Sequence, residues 1–233
     1  MKTSYETVER LVDEAQMSTC AITDVLDGMG ISGAVLPGQL ERRAGKTGLT
    51  FGTAYTVSWV EVRKGARIHD PSPSTWQQVR GFLVPDISDG QGQVYVAGAG
   101  ALLTHAALAG GMSVTYLLEQ VGFHAVVLGG AVRDRAVVEV MDRPVVASNF
   151  VPTDTQGAYR VSETGTACRI GDVCVTTGDW VFTDGNGTVV VRDDVVVDVL
   201  EKAMEVERAE ASVLQQIRSG RSLAEIIDEG GQI

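Results

Sequence analysis

Basic residues, histidine and cysteine are all scarce in this chain, and no stretch stays apolar for long. Nineteen Lys and Arg stand against thirty Asp and Glu, a formal net charge of -11. That balance repels a phosphate backbone and no Lys/Arg stripe overrides it, so nucleic acid is not expected as a direct partner. Cys20, Cys168 and Cys174 are odd in number and lack CxxC spacing. This points to neither a disulfide framework nor a thiolate zinc site, and the three are expected to be buried small hydrophobes. The histidines, His69, His105 and His124, show no metal-ligand spacing among themselves. No apolar run approaches the ~20 residues that cross a bilayer. The start, MKTSYETVER, lacks the apolar core of a signal peptide. The expectation is a cytoplasmic protein with no membrane partner.

With 233 residues, 44% hydrophobic and 21% charged, the chain has the composition of a globular protein with one sizeable core. No internal repeat, low-complexity segment or interdomain linker interrupts it. A single domain over 1–233 is expected, with an N-terminal helical segment at 1–45 and a C-terminal helical tail at 193–233.

Apolar spacing at Val8, Leu11, Val12 and Ala15 predicts a first helix. Ser18 or Thr19 caps a second, which carries Ile22, Val25, Leu26 and Met29 and closes at Gly28 and Gly30. TAYTVSWVEV predicts a strand over Thr50 to Val62, followed by a polar loop from Lys64 to Thr75. QVYVAGAG gives the next strand, whose glycine-rich exit leads toward a helix with Val114, Leu117 and Leu118 that stops at Gly122. HAVVLGGAVRD reads as one buried strand ending in glycines and two charged residues. PVVASN is another strand, and short strands separated by IGD, TGD and DGNG turns fill Thr166 to Val191. A long helix from about Asp193 to Ser219 offers Val196, Leu200, Met204, Ala211, Leu214 and Ile217 as an apolar side. Gly220 ends it, and Ser222 caps a short final helix. The fold class is therefore α/β.

Chemistry concentrates between Gly110 and Asp134. A helix opened by glycines would present free N–H groups at Gly111, Met112, Ser113 and Val114, a small anion site that the helix dipole reinforces. Arg133 and Asp134 leave the carboxyl end of a strand, where open α/β sheets commonly line ligand crevices. The planar fork of Arg133 suits a carboxylate or enolate oxygen, and Asp134 offers a hard oxygen to Mg²⁺ or Mn²⁺. An isolated Arg-Asp pair is more often a helix cap with a surface ion pair, so the surrounding residues decide.

Those residues resemble the family of class II 4-hydroxy-4-methyl-2-oxoglutarate aldolases, which also contains oxaloacetate decarboxylases and the regulator of ribonuclease activity A (RraA). The family pattern runs through a helix, a glycine and a strand to DGAVRD, and Gly122, Gly130, Ala131, Val132, Arg133 and Asp134 fall at its offsets. STCAITDVLDGMGISG, GDWVFTDGNGTVVV and the closing IRSGRSLAEI match further. Val62 to Pro85 is the least alike. The resemblance implies a compact β/β/α fold related to swivelling domains, assembled as homotrimers or hexamers with sites at subunit interfaces. It further implies metal-dependent C–C cleavage of a small 2-oxo acid, with Arg133 and Asp134 catalytic and Asp134 on the metal.

Two positions depart from the family. Met112 stands where it carries an acidic residue that holds water at the metal, and Gly129 replaces the first Asp of DGAVRD. Met112 therefore leaves two alternatives open: a diverged enzyme acting on another small carbonyl compound, and a non-catalytic interaction protein like the ribonuclease regulator. His69 with Asp70 is a weak substitute for the missing acid. Glu207 and Glu210 lie where the family's closing helix lends a carboxylate to a neighbouring subunit, although a charge there is usually a solvated face.

Overall fold

A computed structural model describes residues 2–62, 80, 87–155 and 158–230. The loop expected at Lys64 to Thr75, with His69 and Asp70, lies outside the described residues. The elements begin with helices α1 (Tyr5–Ala15) and α2 (Thr19–Gly28), then strands β1 (Glu41–Ala44), β2 (Thr50–Glu61), β3 (Gln93–Gly98) and β4 (Leu103–Ala109). Helix α3 (Gly111–Thr115) continues as a π-helical turn, Tyr116–Val121, before β5 (Ala125–Leu128), β6 (Gly130–Val132), α4 (Arg135–Val138) and β7 (Val145–Ala147). The remainder is β8 (Tyr159–Thr164), β9 (Ala167–Ile170), β10 (Val173–Thr176), β11 (Trp180–Thr183), β12 (Thr188–Val191), α5 (Val196–Arg218) and α6 (Leu223–Asp228). The chain divides into two compact units, Gly33–Arg192 and the paired terminal segments Met1–Ser32 and Asp193–Ile233.

In the terminal unit, the Ser4 and Ser18 side chains accept the N–H of Thr7 and Ala21, capping α1 and α2 as serine does at helix starts. Val8, Leu11 and Val12 of α1 and Ile22, Val25 and Leu26 of α2 are buried. Both helices pack on α5, whose Val196, Val199, Leu200 and Ala203 are buried. The apolar side expected along the whole of α5 is covered only in its first half, since Leu214 and Ile217 remain 47% and 40% exposed. A capping box of Ser222 and Glu225 opens α6.

The larger unit is built on a sheet of order β1-β7-β5-β3-β2-β11-β12, with β8 also paired to β2. Its centre is parallel: β2 with β3, β3 with β5, and β5 with β7. Strands buried on both faces read as unbroken apolar runs, which is why VYVAG and AVVL show no polar alternation. Successive side chains nonetheless part to opposite faces. Tyr95, Ala97, Val126 and Leu128 join Val114, Leu117, Leu118 and Phe123 in one core layer. Val94, Val96, Ala125 and Val127 join Leu36, Leu40, Ile170, Val173 and Val181 in the other.

Three expectations change. The run HAVVLGGAVRD is two strands, because Gly129 transfers the chain between sheets: its N–H donates to Ala97 O at 2.7 Å while its carbonyl accepts from Leu103 N–H at 3.0 Å. A Cβ there would lie 2.9 Å from Ile170 Cγ1. Second, the stretch after QVYVAGAG is a strand, β4, before the helix begins. Third, the segment 1–45 is not wholly helical, since its helices end at Gly28 and β1 pairs antiparallel with β7.

Cys168 is buried on β9, with its thiol donating toward Val96 O at 3.7 Å, and burial pushes its pKa up to about 12. Cys20 and Cys174 are exposed, so the expected burial holds for Cys168 and not for the other two. A thiol-specific chromogenic reagent is therefore expected to label two cysteines in the native protein and the third only on unfolding. The unfolded thiol ionises before the folded one, so stability falls as the pH rises from about 9 toward about 12. Labelling of Cys168 at the rate of the others would contradict the packing of β9.

Candidate functional site

β4 and β6 run parallel, Ala107 opposite Ala131 and Ala109 opposite Val132. Their carboxyl ends therefore deliver Gly110–Gly111 and Arg133–Asp134 to one edge. Arg133 N–H donates to Ala109 O at 3.1 Å, which locks the two ends together. Asp134 then adopts φ 62° and ψ 51°, a left-handed conformation that Asp tolerates better than most residues but at some cost. Its carbonyl accepts the N–H of Val137 and Val138 and starts α4. Its carboxylate does not cap that helix. Instead Oδ2 accepts the Gly111 N–H at 2.8 Å, across the gap between the strand ends.

Arg133 lies between two carboxylates. Its Nε is 3.8 Å from Asp134 Oδ2, and its Nη1 donates to Asp154 Oδ2 at 3.1 Å. The three side chains are 35%, 49% and 36% exposed. Pairs this open to solvent contribute ~0–1 kcal/mol each, so the cluster is not what holds the fold together. Asp154 carried no sequence signal, because VPTDTQG reads as an ordinary turn.

Glycine is required opposite this cluster. A Cβ on Gly110 would lie 2.6 Å from Asp134 Oδ2 and 3.0 Å from Arg133 Cγ and Nε. One on Gly111 would lie 2.9 Å from Val137 Cβ and 3.1 Å from Asp134 Cβ. The Gly-Gly and Arg-Asp pairs thus fit each other as backbone against side chain.

The four N–H groups expected to form an anion site are not all free. Gly111 donates to Asp134 and Val114 donates to Gly110 O at 2.9 Å, as its place in the first turn dictates. Met112 and Ser113 retain N–H groups with no intrahelical acceptor. The Met112 side chain is 84% exposed, and Tyr116, Val137 and Val140 are also exposed, at 36%, 43% and 78%. At Gly129, the other departure from the family motif, Ile170 fills the space into which a side chain would project.

Among the described residues no group of three or more His, Cys, Asp and Glu converges as a metal cage. Mg²⁺, however, is commonly held by one or two carboxylates together with water and substrate. Asp134, with one oxygen on the Gly111 N–H, fits that open mode through a hard carboxylate oxygen. The remaining candidates have structural roles or lie apart from Arg133. His124 Nε2 accepts the Gly92 N–H at 3.1 Å at the head of β5. His105 Nε2 is 3.2 Å from Tyr159 Oη. Glu207 Oε1 accepts the Ser18 N–H at 2.9 Å, so it serves the start of α2 rather than a solvated face, whereas Glu210 is exposed. A cleft of about 320 Å³ beside Arg42, Asp184 and Asn186 and another of about 380 Å³ beside Leu118 and Arg143 do not include Arg133 or Asp134.

The fold is that of an α/β protein in which two parallel strands end at one edge, and comparison with known proteins supplies the family. Residues 19–190 match the RraA-like (Aldolase/RraA) family model, and the chain belongs to that family. Protein DlpA of Legionella pneumophila is 27% identical over 209 residues, 88% of this chain but 31% of DlpA. A protein of Cupriavidus necator named "Putative 4-hydroxy-4-methyl-2-oxoglutarate aldolase" is 31% identical over 101 residues, 43% of this chain and 59% of that protein. The chain thus spans less than two thirds of the length of these relatives. Streptomyces coelicolor RraAS2, described as an unusual member of the RNase ES inhibitor RraA family, superposes with a TM-score of 0.70 over 91% of this chain and 96% of its own. At 22% identity that likeness shows the shared fold.

Gly110→Ala is expected to fold but to melt lower, by about 1–3 kcal/mol of stability, because the methyl group forces Asp134 and Arg133 aside. Gly28→Ala, where nothing lies within 4 Å of an added Cβ, should change stability little. Equal melting temperatures for Gly110→Ala and wild type would contradict the close approach.

Proposed function

We propose that this chain is a divalent-metal-dependent lyase that cleaves a C–C bond in a small 2-oxo acid, by retro-aldol cleavage, by decarboxylation of an oxaloacetate-like substrate, or by both. The observation that supports it most is the joining of Arg133 and Asp134 to Gly110–Gly111 at the ends of two parallel strands. The relatives named for aldolase activity point the same way.

Arg133 has the fork and the permanent charge to pair with the substrate carboxylate. The N–H groups of Met112 and Ser113 are a second pair of donors for an anionic oxygen, and they use no side chain. Asp134 is the residue that would hold Mg²⁺ or Mn²⁺. When bound, the ion would polarise the 2-oxo group. Cleavage leaves the bonding electrons on the 2-oxo fragment as an enolate, and Arg133 stabilises that charge most where it is most developed. Met112, standing where the family carries an acidic residue, removes one partner of the metal site, a loss that typically costs ~10 to 100-fold without abolishing function.

A second reading is favoured by the exposure of Met112 beside Tyr116 and Val137: a diverged enzyme whose substrate carries an apolar group. Met112→Asp separates the two. On the leading reading it raises Mn²⁺ affinity and oxaloacetate turnover by about 10 to 100-fold. On the second it lowers the native activity, since an unpaired carboxylate against an apolar ligand is costly. A non-catalytic interaction protein would gain no turnover at all.

Asp134→Asn should remove divalent-ion binding measured by calorimetry while leaving the melting curve close to that of wild type; unchanged affinity would contradict the role given to Asp134. The exposed Leu214, Ile217 and Leu223 support assembly of the chain as a homotrimer or hexamer. Light scattering at micromolar concentration should give three or six times the chain mass of 24.7 kDa, and a monomer would contradict it.

A further inference from the structure

Arg133 is fixed at three points. Its backbone N–H is bonded to Ala109 O, its side-chain stem lies against Gly110, where a Cβ would come within 3.0 Å of Cγ, and its Nη1 donates to Asp154 Oδ2 at 3.1 Å. The first two points set where the stem leaves the strand. They do not set the rotation of the guanidinium plane, and a long side chain free at that end would sample several orientations.

Asp154 is well placed to set it. Its backbone bridges Ala107 of β4, Ala107 N–H donates to Thr153 O at 2.8 Å, and the next residue, Thr155, is buried with its carbonyl accepting from Ala158 and Tyr159. The carboxylate is thus carried by backbone tied to the same strand that ends in Gly110–Gly111. It takes Nη1, Asp134 Oδ2 lies nearest Nε, and neither contact uses Nη2. Among the described residues nothing else takes Nη2, the corner of the fork that a ligand would meet.

We infer that Asp154 is a positioning residue for the proposed site: it turns the Arg133 guanidinium so that Nη2 meets the carboxylate of a 2-oxo acid. This rests on the reading of Arg133 as the ligand-binding cation. Asp154 acts through Arg133 and touches no reacting atom. A group that aligns a carboxylate equally in ground and transition states changes KM more than kcat.

The test uses pyruvate as the binding probe, titrated by calorimetry at saturating Mn²⁺, and oxaloacetate for turnover. Wild type is compared with Asp154→Asn, Asp154→Glu, Arg133→Ala and the double variant Arg133→Ala with Asp154→Asn. Asp154→Asn is expected to weaken pyruvate binding about 10-fold and to raise KM for oxaloacetate with a smaller change in kcat. Asp154→Glu should recover part of the loss, and Asp154→Asn should add nothing once Arg133 is absent. Melting curves check the fold of each variant, and Asp154→Glu carries the comparison if Asp154→Asn does not fold. Pyruvate affinity that is unchanged or tighter in Asp154→Asn overturns the inference, the latter because Asp154 would then compete with the ligand. So does a further loss in the double variant. If Arg133→Ala alone leaves pyruvate binding intact, the ligand site itself lies elsewhere and both readings fall. If Arg133→Ala abolishes binding while Asp154→Asn binds as wild type, only the positioning role falls.

Discussion

The contact on which the joined ends of β4 and β6 depend is the approach of a glycine backbone to an Arg-Asp pair. Asp134 reaches Gly111 N–H at 2.8 Å only because residues 110 and 111 have no side chain, and because Asp134 accepts a left-handed backbone that turns its carboxylate away from the helix it begins. Each of these features costs stability by itself. Glycine widens the unfolded ensemble, and a non-glycine residue in the left-handed region is strained. The solvent-exposed ion pairs at the centre return little. The arrangement is held by its surroundings: the β4–β6 pairing and the fully buried Val114, Val132 and Val138. Strain held rigidly at a strand end motivates the proposal of a site there.

The two departures from the family differ in physical consequence. Gly129 is absorbed by packing, since Ile170 occupies the space that a side chain would need and the glycine lets the chain step from β5, beside β3, to β6, beside β4. Met112 is not absorbed. It stands 84% exposed on the first turn of α3, next to N–H groups that have no intrahelical acceptor. A substitution compensated inside the core alters little outside it, whereas one on the rim of the proposed site would change what can bind there. The proposed chemistry therefore turns on Met112.

Much of the fold was legible because its signals are local. Ser4, Ser18 and Ser222 cap the helices where serine should, Gly122 and Gly220 stop them, and the apolar runs of β2, β3 and β5 mark strands buried on both faces. What escaped the sequence depends on distant partners. β4, LTHAALA, has weak strand propensity and exists because β6 pairs with it. The division of HAVVLGGAVRD is fixed by Ala97 and Leu103. The pair Arg133–Asp134 was visible through its motif, but Asp154 sits in a plain turn, and only the Ala107 bridge brings it to Arg133. The free anion site expected over Gly111 to Val114 shrank because Asp134 and Gly110 already use two of its four N–H groups.

The central claim is that the joined ends of β4 and β6 form one ligand site. Its most direct test is a crystal structure of the protein soaked with Mn²⁺ and pyruvate. The account predicts the ion on the Asp134 carboxylate and the pyruvate carboxylate between Arg133 Nη2 and the N–H groups of Met112 and Ser113. Pyruvate bound instead in the cleft beside Arg42 and Asp184, with Arg133 still held by Asp154 alone and no ion at Asp134, would contradict it.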